Sequence, residues 1–123
     1  MTSYLLPQRW KMTLFLIVIA ILFSAAFVPA IGVKAAPWHI EIHFLTYAIV
    51  GVITYWTLSE LAFYLLYSII TMIPVAHEIC EIWGHHHHLE IQDIIINLIG
   101  MGTGTFIAIL TQKKVKPLLS REK

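Results

Sequence analysis

Between Lys11 and Lys113 the chain carries a single basic residue, Lys34. A stretch of that length with so few cations excludes the solvated surface of an ordinary soluble domain. Charged residues make up only 12% of the whole chain, against about 25% in soluble proteins. The short basic tail lacks the interleaved aromatics of a nucleic-acid surface, so no nucleic-acid partner is expected. The one cysteine, Cys80, excludes an intrachain disulfide. In an apolar helix such a thiol is a packing residue. No Ser or Cys has an evident activating base, and there is no glycine-rich loop to cradle phosphate. Internal repeats and low-complexity linkers are missing as well.

What is present is apolar: 59% of residues are hydrophobic and the mean hydropathy is +0.79. The chain is long enough for one domain. Residues 1–11 form a polar entry, and residues 12–33 an apolar run. About 20 such residues span a hydrocarbon core of ~30 Å. The run exceeds the ~7–15 residues of a signal-peptide core, so a retained helix is expected although Ala35 and Ala36 offer small residues for cleavage. Further helical stretches are expected over 39–58, 61–83 and 91–110, with a basic tail over 111–123. Pro74 interrupts the third and would kink it one turn before His77. Trp38, Trp56 and Trp83 fall near span ends, where interfacial anchors sit.

The expected fold is therefore an all-α membrane protein, a bundle of four transmembrane helices. Seven of the eight basic residues lie at the two chain ends. The positive-inside tendency places both termini in the cytoplasm of a multi-pass plasma-membrane protein. The first and third connections then share the outer face.

The polar residues concentrate toward that face. All seven histidines lie between His39 and His88, and six of the seven acids between Glu41 and Asp93. Positions three or four apart share a helix face. Such pairs are His43 with Tyr47, His77 with Glu81, and Glu78 with Glu81. Glu90, Asp93, Asn97, Gly100 and Gly104 form one stripe on the fourth helix, polar at its outer end and glycine further in. Gly100 and Gly104, spaced for close helix approach, are expected to pack that helix on a neighbour and carry Asp93 and Asn97 into the bundle. Ionisable groups inside a membrane are functional by default. His43, His77, Glu78, Glu81 and Asp93 are thus expected to line an outward polar pocket, the bland alternative being a network that specifies helix packing. Imidazole and carboxylate suit a divalent metal such as zinc. His77, Glu81, His85 and His86 are the candidate ligands, although at most two adjacent loop histidines can serve one ion. No metal is required by the pattern. Glu78 and Glu81 are the possible acid/base pair of an enzyme, but no catalytic residue can be assigned.

Three segments resemble a known family. His43-Phe44-x-x-Tyr47-x-x-x-Gly51, then Glu78, then Asp93-x-x-x-Asn97-x-x-Gly100-x-x-x-Gly104 are similar, in order and spacing, to the signatures of VanZ-like membrane proteins. The resemblance covers residues 37–110. It implies a small multi-helix envelope protein with His43, Tyr47, Glu78, Asp93 and Asn97 around its pocket. The family is linked to glycopeptide (teicoplanin) resistance and has no general reaction assigned. The sequence departs from it at His39-Ile40, where Asp-Lys is usual, at Glu81, where Gln is usual, and at His85–His88, where the loop usually carries Arg. The leading expectation is a VanZ-like protein whose pocket binds a lipid or envelope-precursor head group. The alternatives are a metal-dependent membrane enzyme and a small accessory subunit of a larger membrane complex.

Overall fold

The computed structural model describes residues 6–28, 36–85 and 88–121, with Ala36, His85 and residues 114–121 described by their backbone alone. Four helices account for nearly all of it: α1 (Gln8–Ala25), α2 (His39–Leu58), α3 (Phe63–His85) and α4 (Ile91–Arg121), with a 3-10 turn, Ala36–Trp38, leading into α2. All four are long and apolar enough to cross a membrane. The chain is a membrane protein. Its perimeter carries exposed Leu16, Ile21, Ile49, Phe63, Met72 and Ile99. In water that much apolar surface marks an association site; in lipid it is the ordinary outer face of a bundle.

The helices alternate in direction. The Gln8 side-chain amide of α1 donates to the Thr57 carbonyl at the end of α2 (2.7 Å), while His77 near the end of α3 reaches the Leu22 carbonyl near the end of α1. Consequently α2 and α4 run in the same direction, and they form the most intimate pair. Their register is a constant offset: His39 meets Asp93 and His43 meets Asn97, each 54 positions apart. One turn deeper the glycines take over. A methyl group on Gly100 would lie 2.6 Å from the Phe44 carbonyl oxygen, one on Gly51 would lie 2.5 Å from that of Met101, and one on Gly104 would collide with the Ala48 carbonyl. Without a hydrophobic drive between helices in lipid, such backbone approach supplies the dispersion contacts that hold them. Leu22, Val50, Leu58, Leu66, Ile70 and Met101 fill the core around the pair. On the half of the bundle away from the histidines, α3 and α4 separate into an open, largely apolar groove of about 360 Å³ beside Ile70, Met101 and Gly102.

Helix limits differ from the sequence expectation at several ends. α1 begins at Gln8 rather than residue 12, directly after Pro7, whose φ of −52° leads into the helix; Arg9 and Lys11 occupy its first turns, where long cationic side chains reach out of the bilayer. It ends at Ala25, since Pro29 disfavours helical geometry at Val28. α3 runs two residues past Trp83, so Gly84 and His85 belong to the helix and not to the connection. Gly84 is needed there, because a Cβ would strike the backbone of Ala26 and Phe27 at the end of α1. α3 also continues through Pro74, which is fully buried. α4 extends to Arg121 rather than stopping at Leu110; Gln112, Lys113, Lys114 and Lys116 are good helix formers that prolong it.

Candidate functional site

Alternating helix direction brings the start of α2, the end of α3 and the start of α4 to one end of the bundle, and there the polar side chains of three separate segments meet. The outermost contact is His39 Nε2, which lies 2.9 and 3.0 Å from the two Asp93 carboxylate oxygens. One turn in, His43 donates from Nδ1 to the Asn97 side-chain oxygen at 2.8 Å. The two imidazoles stack at a tilt, centroids 4.3 Å apart, because residues four apart in a helix share a face. Asp93 and Asn97 are buried, at 5% and 0% exposure, whereas His39 is half-exposed at the rim.

Across from this pair, α3 contributes His77, Glu78 and Glu81. His77 is buried and donates from Nε2 to the Leu22 carbonyl (3.0 Å). That carbonyl lies in the last turn of α1, so the bond ties α3 to the end of α1. The His77 ring packs edge-on against Phe23 and Tyr47, and its Nδ1 stands 4.0 Å from a Glu81 oxygen. Glu78 is 2% exposed. It accepts the Glu90 backbone N–H at 3.3 Å, which ties the end of α3 to the approach of α4. The Glu81 and Asp93 carboxyls are near enough to act on Glu78, and both glutamates act on the Tyr47 hydroxyl. These groups form one electrostatic cluster. It also holds two donors that no described residue satisfies, the Tyr47 hydroxyl and the Asn97 side-chain amide. A buried donor without a partner costs about 1–3 kcal/mol, so water or a ligand has reason to enter.

All five pocket candidates, His43, Tyr47, Glu78, Asp93 and Asn97, thus belong to this cluster. Gly100 and Gly104 lie on the α2–α4 seam below it. The expected metal ligands fare differently. His77 has its Nε2 engaged with a helix end, the side chain of His85 and all of His86 lie outside the described residues, and Glu81 faces His77 and Glu78. Among the described residues the one group of three that offers ligand atoms within 4.8 Å of one another is His39, His43 and Asp93. His39 was not among the expected site residues. Its spacing of four from His43 was a legible signal, but only the α2–α4 register puts both opposite Asp93. Glu41, on the same turn, is exposed and takes no part. The chain matches no protein-family model, no curated protein and no solved structure.

Proposed function

We propose that this protein is a VanZ-like integral membrane protein of the cell envelope whose outward bundle end binds a polar head group that bears an amine. The observation that carries this reading is a buried cluster of carboxylates with unsatisfied donors beside it: Glu78 and Asp93 next to the Tyr47 hydroxyl and the Asn97 amide. Lys34 is the one Lys or Arg of the sequence between Lys11 and Lys113, so carboxylates outnumber fixed cations at this end, which favours an amine over a bare phosphate. The termini face the cytoplasm on the charge rule, which turns the cluster toward the envelope side. That is where precursor and lipid head groups are found.

The test is thermal unfolding of detergent-purified protein with phosphatidylethanolamine or phosphatidylglycerol added. A ligand at 100 times its Kd stabilises the folded state by about 2.7 kcal/mol. The amine-bearing lipid should raise Tm, the glycerol lipid should not, and Glu78→Gln combined with Tyr47→Phe should abolish the shift. Equal shifts for both lipids, or a shift that survives the double substitution, would refute the pocket as the binding site.

A further inference from the structure

We infer that His39, His43 and Asp93 form a divalent-cation site at the mouth of the bundle, with zinc as the best-matched ion. The inference rests on the reading of this end as a water-accessible pocket and specifies one ligand for it.

The donor set comes first. Two imidazoles and one carboxylate are ligands that zinc and its neighbours accept. At zinc–ligand bonds of about 2.0–2.1 Å a tetrahedral site separates its donor atoms by roughly 3.3 Å. His39 Nε2 and the nearer Asp93 oxygen are 2.9 Å apart, and one donor atom from each of the three residues lies within 4.8 Å of the others. Adjustment of side chains alone closes that difference, since His39 is at the half-exposed rim.

The second shell points the same way. A metal-bound histidine almost always donates its other ring N–H to a carbonyl or carboxylate, which fixes tautomer and ring orientation. His43 does this before any ion is present: Nδ1 donates to the fully buried Asn97 side-chain oxygen at 2.8 Å. Its Nε2 is left with a lone pair, the form a cation needs. The contact between His39 Nε2 and both Asp93 oxygens brings an imidazole and a carboxylate to one point at the mouth. Three protein ligands leave the fourth position for water or a head-group oxygen, an open site rather than a closed structural one.

The run His85–His88 is the competing sink for metal, so the experiment removes it. Full-length protein carrying Ala at positions 85–88 is purified in detergent, stripped with chelator and titrated with Zn²⁺ and Co²⁺. Metal content, Tm and the visible Co²⁺ spectrum are the readouts. About one equivalent should bind, Tm should rise, and Co²⁺ should give the intense absorption of a low-coordinate site. His39→Ala and Asp93→Asn, made in that background, should each lose the equivalent and the spectrum. Glu41→Gln, on the exposed face of the same turn, should keep both. Absence of binding once the loop histidines are gone overturns the inference, and so does binding that survives His39→Ala. Asp93→Asn is judged only if its unliganded Tm shows a folded protein; His39→Ala, at the rim, decides the matter otherwise. Lipid-dependent Tm shifts measured on the same preparation separate the two failures. Lipid stabilisation without metal binding removes the ion and leaves the pocket, whereas metal binding without lipid stabilisation removes the head group.

Discussion

At the scale of single residues, Asn97 is the hinge between packing and chemistry. It has no exposed surface, accepts from His43 and retains an unsatisfied amide. Asn97→Ala should therefore do more than delete a contact, because it strands the His43 N–H inside the bundle. A loss of about 1–3 kcal/mol is expected, readable by thermal or denaturant unfolding in detergent. A variant as stable as the parent would mean that water already serves His43. His77 makes a separate case. Its sequence neighbours Glu78 and Glu81 invite a functional reading, yet its Nε2 is spent on the end of α1. His77→Ala should destabilise the protein while leaving Zn²⁺ affinity of the surviving folded fraction unchanged.

At the scale of elements, the α2–α4 seam decides whether the site exists at all. Gly100 and Gly104 allow backbone contact with α2, whereas Gly102, between them, has open space around its Cα. Gly100→Ala or Gly104→Ala should cost about 1–3 kcal/mol by overpacking, and Gly104→Ala should also weaken metal binding by spreading His43 from Asp93. Gly102→Ala should be neutral to stabilising by up to about 1 kcal/mol, the propensity gain of Ala over Gly in a helix. Equal gains at all three positions would mean that helix propensity, not the seam, governs the effect. The small-xxx-small spacing was legible along α4, and so was the placement of Asp93 and Asn97 on the same stripe. Which helix receives that stripe was not. Sequence spacing describes one helix surface at a time, and pairing depends on how two surfaces fit.

At the scale of the whole molecule, alternating direction places the start of α1 beside the end of α2 and collects the polar belt at the opposite end. The proposed orientation in the bilayer rests on the terminal Lys and Arg. After replacement of Cys80 by Ala, a cysteine introduced by His88→Cys, in the exposed approach to α4, should react in intact cells with a membrane-impermeant thiol reagent. A cysteine introduced by Lys113→Cys should react only after the membrane is opened. The reverse pattern would put the cluster in the cytoplasm and overturn the envelope reading.

The amino-acid sequence by itself determined the membrane class, the number of helices, and which end of each helix is polar. Those properties depend on composition and on runs of about 20 residues, and neither requires knowledge of a distant partner. Tertiary structure alone decided that α2 and α4 pair in parallel with an offset of 54. It also decided that His77 bonds the last turn of α1 and that Gly84 is a crossing point. Each of these rests on a contact between side chains or backbones far apart in the chain. His39 shows the difference most clearly. Its identity and its spacing to His43 are written in the chain, but its meeting with Asp93 depends on how deeply two helix backbones can approach, and the glycines below the site set that depth.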